Sequence, residues 1–146
     1  MSSFMPDTSC MVPLVSPWHE HHQPATREID RRLAAGETLT VAAPSLVEAY
    51  SVLTRMPQPR RISPTQALTA LERNFMGRGV EMVALDVGEY YRLLSEAQDA
   101  GIAGGNIYDA VIAACAQKAR VDTLLTFNER QFRRLGIPDL NIAVPA

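Results

Sequence analysis

The sequence predicts an α/β fold, a sandwich built on a mainly parallel sheet of roughly five strands. Three observations carry this expectation. Short apolar runs of strand length alternate with longer segments whose apolar residues recur at helical spacing. The helical segments open on capping residues, and several close on glycine. The 146 residues fit a single domain of about 100–200 residues, and no internal repeat, low-complexity stretch or linker divides residues 1–146.

Each element has a local reason. Phe4-Met5-Pro6 reads as a first strand ending at Asp7, followed by a helical turn through the apolar run Cys10 to Val15. Thr26 to Ala35 is amphipathic, with Ile29 and Leu33 inward and Gly36 as its stop. Leu39 to Ala43 reads as a second, buried strand, and Pro44 opens a helix from Ser45 to Arg55. There Ser45 and Glu48 match a capping box. A loop with Pro57 and Pro59 precedes a helix starting at Ser63-Pro64-Thr65-Gln66 and running to about Phe75. Val80 to Leu85 is a third strand, and Asp86 and Glu89 cap a long helix to Ala100 that Gly101 closes. After Gly104-Gly105, a helix carries Asp109 and runs to about Ala119. Thr123 to Thr126 is a fourth strand, Asn128 to Leu135 a short helix, and Asn141 to Val144 a last strand.

Composition narrows the class. No apolar run approaches the ~18 residues of a membrane span, and no basic region precedes an apolar block at the N-terminus, so the expectation is a cytoplasmic protein without a membrane partner. Cys10 and Cys115 read as buried reduced thiols. Lys118 is the only lysine; every other basic side chain is arginine. That bias fits bidentate phosphate contact, and it fits genome base composition equally well. His19, His21 and His22 invite a metal reading, but their spacing is not that of a paired-histidine helix motif and the segment is polar.

Asp109 is the anomaly. Steps of three and four residues lead from it to Ile112, Ala113 and Ala116, so a carboxylate shares the stripe that should face the core. In a parallel sheet, ligands collect beyond the carboxyl ends of the strands. Asp7 ends strand one, Glu48 follows strand two, Asp109 opens its helix, and Asn128-Glu129 follows strand four, so all can open onto one edge. Close carboxylates repel unless a cation intervenes, and hard oxygen donors select magnesium or manganese. Such a cation suits phosphodiester hydrolysis. Each acid also has an ordinary reading: Glu48 as a helix cap, Asp109 as a charge at a helix dipole, and Asp7 as a turn aspartate.

Four stretches resemble the motifs of PIN-domain ribonucleases, as found in VapC-type toxins of bacterial toxin–antitoxin pairs. They are Asp7-Thr8-Ser9, Pro44 to Arg55, Gly104 to Ala116 and Leu124 to Phe132, and their order and spacing agree with the family over nearly the whole chain. The resemblance implies a PIN-like three-layer α/β/α sandwich and an Mg2+- or Mn2+-dependent endoribonuclease. Asp7, Glu48 and Asp109 would correspond to the acidic ligands, Thr8 or Ser9 to the hydroxyl that orients the first aspartate, and Thr126 to a supporting residue of the fourth motif. Asn128, whose amide brings no charge to a second cation, stands where family members often carry aspartate. The implied reaction leaves a 5′-phosphate and a 3′-hydroxyl.

Arg55 and Arg130, with neighbours in the segments Arg55 to Arg61 and Arg130 to Arg134, are candidates for RNA contact. The resemblance further implies a homodimer and a cognate VapB-like antitoxin, with Leu46, Tyr50, Leu53 and Met56 available for a groove, a dimer face or ordinary core packing. A haloacid-dehalogenase-type enzyme would want aspartate at Ser9, and a receiver domain would want its lysine elsewhere than Lys118. The remaining alternative is a catalytically weak PIN-like domain that binds RNA or protein without cutting.

Overall fold

A computed structural model describes residues 2–146. Its sheet has five strands in the order β3-β2-β1-β4-β5, all parallel. The strands are β1 (Ser3–Pro6), β2 (Thr38–Ala42), β3 (Glu81–Val83), β4 (Thr123–Leu125) and β5 (Asn141–Ala143). The helices are α1 (Thr8–Leu14), α2 (His22–Ala34), α3 (Ala43–Arg55), α4 (Pro64–Phe75), α5 (Val87–Ala100), α6 (Asn106–Ala119) and α7 (Glu129–Arg134).

Strand alternation sorts the core into two layers. Phe4 faces one side with Leu39, Val41 and Leu125, where Met11, Ile29, Leu53 and Phe75 from α1 to α4 cover it. Met5 faces the other with Ala42 and Leu124, under Ile112, Ala113, Ala116 and Phe132 from α6 and α7. The expected three-layer α/β/α sandwich is therefore the observed architecture. Because β1 sits at the centre of the order, pairing Phe4 with Leu39 and Met5 with Leu124, its carboxyl end lies among the loops that follow its neighbours.

Local capping explains most boundaries. Ser63 and Gln66 form a reciprocal capping box at α4, and Asp86 and Glu89 form another at α5. Gly101 closes α5 at a φ of 72°, a conformation glycine adopts without penalty. Lys118 donates to the Ala84 carbonyl at 2.8 Å and to Glu89 at 2.6 Å, tying α6 to the start of α5. Both cysteines are buried and unpaired with each other.

Two expectations fail in instructive ways. The Ser45–Glu48 box does not form: α3 begins at Ala43, so Ser45 lies inside the first turn and its buried Oγ has no partner. Leu33 is exposed rather than inward. Arg32 turns inward instead, its guanidinium pairing with Glu28 and Glu37 and lying 5.8 Å from the Phe4 ring centroid. On α3, Leu53 is buried and Leu46 and Met56 pack on the core, while Tyr50 stays exposed.

The two serines therefore predict opposite results. Ser63→Ala should lower stability by about 1 kcal/mol through loss of the cap, whereas Ser45→Ala removes an unpartnered buried hydroxyl and should leave stability unchanged or raise it. Urea midpoints of the two variants measure this directly.

Candidate active site

The carboxyl end of β1 delivers Asp7 to a position 2% exposed, at the N-cap of α1. Its amide donates to the Leu125 carbonyl at 3.0 Å, which fixes it against the end of β4. Its side chain is held from three sides. Ser9 Oγ donates to Oδ1 at 2.6 Å, the Cys10 amide donates to the same oxygen at 3.2 Å, and Thr126 Oγ1 donates to Oδ2 at 2.5 Å.

The two hydroxyls also order the loop after β4. The Phe127 amide donates to Ser9 Oγ at 2.9 Å, and the Asn128 amide donates to Thr126 Oγ1 at 2.8 Å. Of the hydroxyls expected around this aspartate, those of Ser9 and Thr126 donate to it. Thr8, the next residue after Asp7, does not: its buried Oγ1 finds no partner.

Asp109 lies in the first turn of α6 and is half-buried. The preceding Gly104, at a φ of 61°, sets where that helix starts. Glu48 lies on α3, also half-buried. The three acids are close enough to act on one another in sequence. Burial pushes the Asp7 carboxyl up to about 6, against the pull of its three hydrogen bonds, and the Asp109 charge adds to the rise. Burial also raises Asp109, with the Glu48 charge as the second cause.

Among the described residues no three His, Cys, Asp or Glu side chains come together in a group that could hold a metal ion by themselves. Asp7, Asp109 and Glu48 supply hard oxygen donors with unrelieved like charge, the donor class of magnesium and manganese, which bind through one or two carboxylates and keep waters and substrate phosphate in their shell. The histidine segment makes hydrogen bonds within the chain. His22 Nδ1 is within 2.8 Å of the Pro13 carbonyl, and His19 Nδ1 accepts from the His21 amide at 3.0 Å.

The remaining candidates stand outside this hydrogen-bond network. Asn128 is exposed at the N-cap of α7, tied to the site through its backbone amide, and its side chain makes no capping bond. Glu129 pairs with Arg133 at 3.0 Å. Arg55 and Arg130 are exposed. A pocket of about 250 Å³ joins Asp109 to Asn106, Gln131 and Arg134, so α7 presents an arginine to the acid side of α6. Phe127 is the residue that sequence reasoning passed over. Only the hydroxyl-to-amide bond across 118 positions ties it to Ser9, and no local pattern announces such a bond.

Stability should follow the charge on Asp7. Because the folded state holds that proton more tightly than the unfolded chain, the contribution is full below the ordinary carboxylate pKa and is lost as pH rises through about 6. The loss amounts to about 3 kcal/mol. Asp7→Asn should therefore be more stable than the parent at pH 8 in EDTA, with the gap closing toward pH 4; urea unfolding across that range gives the test, and a destabilised variant at pH 8 would contradict it. Thr126→Val removes a buried donor to the carboxylate and should cost about 2 kcal/mol.

Comparison with known proteins agrees with this fold. Residues 4–138 match the family model of the PIN domain. The chain is 35% identical over 114 residues, 78% of each chain, to Ribonuclease VapC40 of Mycobacterium tuberculosis. It is 30% identical over 116 residues, 80% of this chain and 78% of the relative, to Ribonuclease VapC27 of the same organism. In structure it resembles Mycobacterium tuberculosis VapC20, described as a sarcin–ricin-loop-cleaving toxin, with a TM-score of 0.71 at 17% identity, covering 94% of this chain and 98% of that one. It also resembles the VapBC2 structure from Rickettsia felis, with a TM-score of 0.66 at 21% identity and 97% of each chain covered. The chain belongs to the PIN-domain family and is a PIN protein of the VapC ribonuclease type.

Proposed function

We propose that this chain is the endoribonuclease toxin of a VapBC-type toxin–antitoxin pair, and that it cuts RNA phosphodiester bonds at the Asp7 end of the sheet with Mg2+ or Mn2+ as its cofactor. The observation that carries the site assignment is the buried Asp7 carboxylate with Asp109 and then Glu48 as like-charged neighbours. Uncompensated acids at the carboxyl end of parallel strands are costly for folding alone and useful for holding a cation.

A divalent cation bound there supplies Lewis-acid polarisation of the phosphate and a nucleophile near neutral pH. Asp7, Asp109 and Glu48 would hold it. Ser9 and Thr126 orient the Asp7 carboxylate, as outer partners of metal ligands do. Arg134 lies in the pocket beside Asp109, where a guanidinium can bind a phosphate oxygen in fork geometry. Arg55 and Arg130 are exposed cations for backbone contact with RNA. Asn128 offers an amide at the end of β4 in place of a charge. The inference extends to a homodimer and to a cognate antitoxin as inhibitor, with activity in the cytoplasm where RNA and divalent ions are at hand. In the described residues no helix is long and apolar enough to cross a membrane.

RNA incubated with the purified protein should be cut with Mg2+ or Mn2+ and stay intact in EDTA. Asp109→Asn should lower the rate by more than the roughly 10–100-fold that outer partners of metal ligands cost, with an unchanged circular-dichroism spectrum. Uncut RNA under every ion condition would favour the binding-only alternative. Added Mg2+ should raise the melting temperature of the parent at pH 8 and have a smaller effect on Asp7→Asn, because mass action stabilises only a state that binds the ion.

A further inference from the structure

The segment between α1 and α2 places a run of flat rings on the surface. Trp18 and His19 have ring centroids 5.4 Å apart, and His19 and His21 are 5.5 Å apart. His21 stacks on Phe127 at 4.0 Å with an interplanar angle of 10°. At the outer end, the Arg60 guanidinium lies 4.9 Å from the Trp18 ring centroid. At the inner end, Phe127 donates its amide to Ser9 Oγ, which donates in turn to Asp7. The rings therefore lead from an exposed cation to the carboxylate that the cleavage reaction would use.

This strip is not core packing. Trp18 is 40% exposed and the His21 side chain 41% exposed. Nor is it a loose loop. Ser16 is buried, and successive amides of Ser16, His19 and His22 donate to the carbonyls of Pro13, Ser16 and His19 at 2.9 to 3.1 Å. Its one nearby acid, Glu20, lies 3.6 Å from His21 Nε2 and is itself 82% exposed. A large exposed indole, two imidazoles and an arginine on a fixed turn have the chemistry that unpaired bases use: every base offers a π-face, and arginine supplies both stacking and phosphate contact. Bases inside a duplex are already stacked on one another and gain nothing from it.

We propose that Arg60, Trp18, His19 and His21 form a stacking platform for an unpaired RNA segment flanking the scissile phosphate. The proposal rests on the ribonuclease reading and deepens it by assigning Arg60, Trp18, His19 and His21 to contact with the substrate beside the cut.

Trp18 is the only tryptophan, so its emission reports on the platform directly. In EDTA, where cleavage is off, titration with an unpaired RNA octamer should quench that emission, and the same octamer annealed to its complement should not. Trp18→Ala should weaken binding of the unpaired octamer, followed by fluorescence anisotropy, roughly tenfold or more, and Trp18→Phe should restore most of it. Thermal melts of both variants check the fold. Equal quenching by unpaired and paired RNA, or none by either, would overturn the platform, as would Trp18→Ala binding and cleaving like the parent; a response to an antitoxin peptide alone would assign the strip to a protein partner. Because the binding measurements need no catalysis, they decide the platform even if no RNA is cut, and cleavage with Mg2+ tests the ribonuclease reading separately.

Discussion

The Asp7 carboxylate, buried between the ends of β1 and β4, is the constraint on which the functional edge of this molecule depends. A lone charge in that position would be expelled or neutralised. Here it is retained by the hydroxyls of Ser9 and Thr126 and the Cys10 amide. The same hydroxyls accept the amides of Phe127 and Asn128, so the loop after β4 takes its shape from the group that it helps to satisfy. One carboxylate thus caps α1, joins two parallel strands side by side, and sets where α7 begins.

The hydrogen bonds do not fully offset burial, as the raised Asp7 pKa shows. Asp109 and Glu48 add to that imbalance rather than relieving it. Structural ion pairs elsewhere in the molecule are different: Glu28 with Arg31 and Arg32, Glu89 with Lys118, and Glu129 with Arg133 all match opposite charges. Asp109 meets Asp7 and Glu48, whereas Glu28, Glu89 and Glu129 meet bases. The acidic edge is destabilised as it stands, and under the proposed function an external cation would relieve it and couple fold stability to ion binding.

Legibility in the sequence followed the range of the forces. Capping at Ser63 and Asp86 could be read locally because both partners lie three residues apart. The same pattern misled at Ser45, where strand β2 runs directly into α3 and starts the helix early. Leu33 misled for a related reason: helical spacing identifies a stripe but not whether Arg32 will lie over Phe4 and take the inward place. The acids were found because a charge on an apolar stripe is conspicuous in one dimension. Phe127 was not, since its partners, Ser9 and His21, are distant in sequence.

By itself, the sequence determined the alternation of strands and helices, the capping of α5 by Asp86 and Glu89, and the residue types able to hold a hard cation. Those properties depend on residues within a few positions of one another, where periodicity and capping chemistry act. Only the tertiary structure decided that Ser9 rather than Thr8 holds Asp7, that Thr126 completes the clamp, that Asn128 reaches the site through its backbone, and that the histidine turn stacks onto Phe127. The Thr126 clamp and the stack on Phe127 depend on the parallel pairing of β1 with β4, which brings together residues more than a hundred positions apart.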